Sequence, residues 1–237
     1  NQLASATSHS DTYGSTSGKA NCAALSTYGW ELSVKYNTAF LAAGRPFHVG
    51  LRGAVGHNHS VVDEYYGNEG MDIYTYYPGM RLGEIWGFKS NGLFQTQDDI
   101  DNAFGTGKPY SAISNLKQHN VSPAVRPGDI WLLDLDGNGQ VDYGSSSLLV
   151  DEENGKPKYG DLTILGNKKP LLQFSFGFDL DWYNWFLSVG FQGVYKQSWA
   201  PAGEHLMWKA YTHAYGPMTK FFSENYWTED RRDAFFP

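Results

Sequence analysis

Asp134, Asp136, Asn138 and Asp142 fall at positions 1, 3, 5 and 9 of a calcium-loop pattern, with Gly139 at position 6 and Gln140 at position 7. Hard cations take oxygen ligands. Three carboxylates, a side-chain amide and the Gln140 carbonyl would supply them, and a glycine at position 6 permits the sharp turn. The ion such a loop would hold is Ca²⁺. Position 12 is Ser145 rather than the usual bidentate Glu, so a closing carboxylate must come from Asp161 or Asp151 if the chain folds back. Asp, Asn and Gly are also strong turn formers, so the same run reads as a polar turn between strands.

Other chemistry is sparser. His57 and His59 are two residues apart, while His205 and His213 lie far downstream. A His-x-His pair can hold zinc, but no flanking ligand spacing completes a cage, and the expectation is loop histidines. Asp63, Glu64, Asp98, Asp99, Asp101 and Glu204 are carboxylates that nothing in the sequence pairs across a cleft. There is no nucleophile elbow and no phosphate-cradling glycine loop. Cys22 is the sole cysteine, which leaves neither an internal disulfide nor a cysteine-based metal cage. The expectation is a protein that is not an enzyme, with no catalytic residues.

The elements that would position these groups read as strands. The net charge of −7 leaves no basic stripe for nucleic acid. Aromatics at 16 % and 27 glycines favour strands and turns over helices. Mean hydropathy is −0.46, and no apolar run is long enough for a transmembrane helix. Membrane strands alternate and average out as polar, so a barrel remains open. Trp30, Leu32, Val34 and Tyr36 alternate with Glu31, Ser33, Lys35 and Asn37. After a link containing Gly44 and Pro46, Phe47, Val49, Leu51 and Val55 alternate with His48, Gly50, Arg52 and Gly56. Leu172, Phe174, Phe176, Phe178 and Leu180 open a second pair, and after a short turn at Asp181-Trp182-Tyr183-Asn184 come Trp185, Leu187, Val189 and Phe191. The first two are expected to be strands of about 9–11 residues, the length a tilted membrane strand needs. Aromatics gather at the strand ends, among them Tyr28, Trp30, Trp182, Trp185 and Tyr195, as in interfacial girdles. Residues 1–27 and 57–80 read as loops and 143–160 as an inserted loop. One short helix is expected after Thr96, with Ile100, Ala103 and Phe104 on one face.

Several segments, in order, resemble the C-terminal half of SusC-like (RagA-like) TonB-dependent outer-membrane transporters. They are Gly29-Trp30-Glu31-Leu32, then Gly87-Phe88-Lys89-Ser90-Asn91-Gly92-Leu93-Phe94-Gln95-Thr96, then Arg126-Pro127-Gly128-Asp129-Ile130 with the Asp134–Asp142 run. Leu165-Gly166-Asn167 with Pro170, Gly190-Phe191-Gln192-Gly193, and Tyr226-Trp227-Thr228-Glu229-Asp230 complete the series. The tail departs from the family pattern in lacking a proline before Glu229.

The resemblance implies an all-β chain of antiparallel strands. Residues 1–237 would be part of an outer-membrane β-barrel with long extracellular loops, without its plug domain and terminal strands. Asn1 and Pro237 would then be cuts inside a longer chain; a mature secreted protein is the other reading. The implied function is import of oligosaccharides or peptides in the cell outer membrane. The implied partners are a SusD-like surface lipoprotein, the TonB complex through the plug, and outer-membrane lipid. The alternative is a secreted carbohydrate-binding β-sandwich module.

Overall fold

The computed structural model describes residues 2–5, 19–105, 107–110, 125–200 and 218–237. Antiparallel strand dominates over helix, as the alternation requires. The chain divides into two compact units. One holds Asn1–Gly67, Tyr76–Glu84 and Gly166–Trp199; the other holds Asn68–Thr75, Ile85–Leu165 and Ala200–Pro237.

The first unit is a five-stranded antiparallel sheet. Its strands are β1 (Gln2–Ser5), β2 (Lys19–Ala42), β3 (Arg45–Tyr65), β8 (Leu172–Trp182) and β9 (Trp185–Tyr195), in the order β1-β2-β3-β8-β9. Two tight turns close its hairpins. Ala43 and Gly44 at φ 51° and 73° join β2 to β3, and Tyr183 at φ 58° begins the β8–β9 turn. Positive φ at such positions matches the right-handed twist of the flanking strands. The Arg45 guanidinium lies 3.8 Å over the Tyr183 ring, which ties one turn to the other. Both turns therefore sit at the same end of the sheet. β3 and β8 are direct neighbours, so the chain between Tyr65 and Leu172 leaves and returns at the opposite end.

Register converts the alternation into two faces. Leu32, Val55 and Phe174 align across three strands; so do Val34, Gly53, Phe176 and Phe191, and then Tyr36, Leu51, Phe178 and Val189. The row nearest the turns is Phe40, Phe47, Trp182 and Trp185. The intervening rows carry Lys35 and Arg52, then Asn37, Asp179 and Ser188. Because side chains alternate sides along a strand, one face is aliphatic and aromatic and the other is polar. Gly193 lies in an apolar row where a Cβ would come within 2.6 Å of the Phe174 ring; its absence lets that ring cover the neighbouring strand.

For the first two strands the expected length was too short. β2 runs for 24 residues and β3 for 21. Residues 2–5, 19–27 and 57–65 are strand rather than loop. A register shift between Ala24 and Leu25 leaves Asp63 as an extra residue on β3, and a bulge of this kind reverses face parity. Small and polar residues below the bulge carry no hydrophobic period either, which is why these stretches read as loops from sequence.

The second unit contains β4 (Glu84–Phe88) but for its first residue, against β7 (Leu162–Asn167) but for its last two, then β5 (Ser90–Leu93) against β6 (Ile130–Leu132), and helix α1 (Gln97–Ala103). Thr96 caps α1, and Asp99 returns a bond to the cap backbone, closing a capping box. Ile100 and Ala103 are buried as expected, with Phe94, Tyr110 and Val141. Phe94 stacks on Trp131 at 4.8 Å, and the Trp131 indole donates to the Tyr110 hydroxyl at 3.2 Å. A second helix, α2 (Lys220–Asn225), was not expected; six residues under a Thr219 cap carry too little periodicity to stand out. Its Phe222 packs on Phe236.

Candidate functional site

The acidic loop follows directly from β6. The turn before it is set by Asp129, whose carboxylate accepts from Arg126 N at 2.7 Å. Within the loop each acidic side chain bonds the backbone just ahead of it. Asp134 Oδ1 accepts from Gly137 N at 2.6 Å and Oδ2 from Gly139 N at 2.8 Å. Asp136 Oδ1 accepts from Asn138 N, and Asn138 Oδ1 accepts from Gln140 N at 2.7 Å. Gly137 and Gly139 sit at φ 72° and 82°, the left-handed region where glycine carries no Cβ penalty. The coil is anchored by Val141, which belongs to the hydrophobic core.

Asp161 closes the loop from the far side. It is wholly buried, and its neighbour Leu162 is buried as well. Its Oδ1 accepts from Leu135 N at 2.5 Å and Asp136 N at 3.1 Å, and its Oδ2 accepts from Asp142 N at 2.9 Å. Burial pushes the Asp161 carboxyl above its ordinary value, while these backbone bonds pull the other way. Ligand atoms of Asp134, Asp136 and Asp161 all lie within 4.8 Å of one another, a grouping that could hold a metal ion. Of the two carboxylates that could stand in for position 12, Asp161 is the one brought in. Asp151 instead accepts from Glu153 N.

The remaining loop residues are placed less directly. Asp142 is not in the cluster, and its Oδ1 accepts from Gly144 N at 2.8 Å. The Asn138 amide donates to Asp136 Oδ2 at 3.1 Å, and Gln140 is half-buried. Ser145 Oγ donates to the Lys158 carbonyl. Lys156, which the sequence did not single out, reaches the loop: its Nζ donates to the Asp136 carbonyl and lies 3.9 Å from Asp136 Oδ1. A lysine twenty residues downstream gives no spacing signal.

The sheet holds the other candidates. His57 and His59 are in β3, not in a loop. Of the scattered carboxylates, Asp99 serves the capping box and Asp63 accepts from Ser26 Oγ at 2.5 Å. His205, His213 and Glu204 lie outside the described residues. On the polar face Arg52 pairs with Asp179, and Ser188 donates to the same carboxylate. Gly177 makes room for this: a Cβ there would sit 2.9 Å from Arg52 Nε. On the apolar face Leu32, Val34, Phe176 and Leu187 remain between 50 % and 60 % exposed.

No protein-family model matches the chain, and no curated protein matches it.

Proposed function

We propose that this chain is a wall segment of an outer-membrane β-barrel, belonging to a TonB-dependent nutrient importer of the SusC type. The observation that carries the reading is the sheet's two-sidedness. Four strands in register present one apolar, aromatic-rimmed face that stays half exposed, and one polar face. A soluble sandwich would bury the apolar face under a second sheet. Lipid is the solvent that such a face fits.

The dimensions agree. From Trp30 to Phe40 is ten strand steps, about 33 Å at about 3.3 Å per residue. A tilt of about 40° reduces that to about 25 Å, the height of an outer-membrane apolar band. Trp30 marks one rim, and the Phe40–Phe47–Trp182–Trp185 row marks the other. Tight turns at one end and the long connection at the other match the short periplasmic turns and long outer loops of such barrels. The outer edges of β9 and of β2 beyond β1 have no paired strand among the described residues, and hydrocarbon does not tolerate unpaired backbone. Neighbouring strands of a larger barrel would cover them.

The second unit supports the family reading. Three of the resembling segments meet there: the Trp227 indole donates to Gln95 Oε1 at 3.1 Å and covers Gly128, while Phe94 N donates to the Asp129 carbonyl. Asp134, Asp136 and Asp161, with the Gln140 carbonyl, would hold Ca²⁺, which would fix the loop by charge neutralisation. The substrate would be an oligosaccharide or peptide, captured with a SusD-like lipoprotein and moved with energy from the TonB complex.

The test is to express residues 1–237 alone, with and without detergent, and to assay oligomeric state and turnover of a glycan panel. The expected result is aggregation in water, order only with detergent or flanking strands, and no turnover. A soluble, cooperatively folding monomer would overturn the barrel reading in favour of the binding module. Glycan turnover would replace it with an enzyme.

A further inference from the structure

We propose that His57 and His59 form a two-nitrogen site for a borderline divalent transition-metal ion of the Zn²⁺ class. The inference is independent of the barrel reading, since it rests on strand geometry alone. Residues two apart on a strand project from the same face, so β3 places both imidazoles side by side. Their ring centroids are 5.3 Å apart, and His59 Nδ1 lies 3.2 Å from His57 Nε2. Two Zn–N bonds of about 2.0–2.1 Å at a tetrahedral angle hold their nitrogens about 3.3–3.4 Å apart. The pair already stands at nearly that separation.

The tautomers favour the same conclusion. His57 Nδ1 is within hydrogen-bond distance of the Leu171 carbonyl, which can only accept. Nδ1 therefore carries the proton, and the Nε2 lone pair faces His59. A metal-ligating histidine characteristically donates its other N–H to a carbonyl or carboxylate in this way, which fixes the ring and raises its basicity. Without metal, His59 Nδ1–H donates to His57 Nε2. On metal binding that proton moves to His59 Nε2, and both lone pairs turn onto the ion; water fills the remaining positions. Trp30 and Tyr28 flank the pair, with ring centroids 6.5 Å from His57 and 5.7 Å from His59 respectively. The indole is close enough to report a bound paramagnetic ion by quenching.

The protein is titrated with Zn²⁺ by calorimetry and with Cu²⁺ by Trp fluorescence. One equivalent is expected to bind at this pair. His57→Gln and His59→Phe should each weaken that binding at least tenfold, and His48→Phe, on the polar face, should leave it unchanged. Equal binding by the first two variants, or an equal loss in the third, overturns the site. Electron paramagnetic resonance of Cu²⁺ on the unsubstituted protein gives a reading that does not depend on variant folding. Hyperfine structure from two imidazole nitrogens is expected, and a signal with one or none overturns the proposal.

Discussion

Placing an arginine at Phe176 and, separately, at Ser175 tests the assignment of faces most sharply. The two residues are adjacent on β8 and point to opposite sides. Phe176 is six residues from Trp182 on the turn-side rim, about 20 Å along the strand at about 3.3 Å per residue. Corrected for a tilt of about 40°, that is about 15 Å, close to the middle of a band about 25 Å tall. Arginine facing lipid at the midplane costs about 2–4 kcal/mol. Phe176 also stacks on Phe191 at 4.7 Å, and losing that pair adds about 0.5–1.5 kcal/mol. Phe176→Arg is therefore expected to destabilise the assembled barrel by about 3–5 kcal/mol, while Ser175→Arg, on the polar face, costs less than about 0.5 kcal/mol. Urea unfolding in phospholipid vesicles, followed by heat-modifiable gel mobility, measures both. A larger loss from Ser175→Arg than from Phe176→Arg would refute the assignment. So would a Phe176→Arg protein that is as stable as the parent in vesicles.

Asp161→Asn replaces one of two acceptor oxygens with a donor aimed at backbone N–H groups, at a cost of about 2–4 kcal/mol. Hydrogen exchange at Leu135, Asp136 and Asp142 should accelerate at least tenfold; unchanged protection would show that Asp161 does not hold the loop. Millimolar Ca²⁺ should slow exchange across residues 134–142, chelator should reverse the effect, and Asp134→Asn should weaken the apparent affinity at least tenfold. Gly128→Ala places a methyl 2.7 Å from the Trp227 ring at a backbone φ of 95°. A loss of about 1–3 kcal/mol is expected from such strain, read by urea unfolding of the second unit, and a silent substitution would mean the ring is not seated there.

Much of the sheet was legible through alternation, because a period of two is written locally in residues such as Leu32, Val34, Phe174 and Phe176. The capped start of α1 was equally local, since Thr96 and Asp99 are three residues apart. The acidic loop was legible by spacing, and even its distant closing carboxylate was among the candidates. Other features depend on pairing rather than on neighbouring residues. Nothing near Val55 announces Phe174 as its partner, so the row-by-row assembly of the apolar face had to come from the register. The upper ends of β2 and β3 were lost because small and polar residues there carry no hydrophobic period. For the same reason His57 and His59 read as loop residues, and their convergence was invisible.

The adjacency of β3 and β8 has a consequence for how the chain folds. The two hairpins can zip early, since each is closed by a tight turn. The join between them is a different kind of event, because its partners lie more than a hundred residues apart in sequence. Relative to a two-residue turn, closing a flexible loop of that length costs about 3–4 kcal/mol of extra chain entropy. The pairing of β4 with β7 brings the two ends of that long connection together and shortens the loop that remains. A preformed β4–β7 pair therefore lowers the entropy cost of registering β3 on β8.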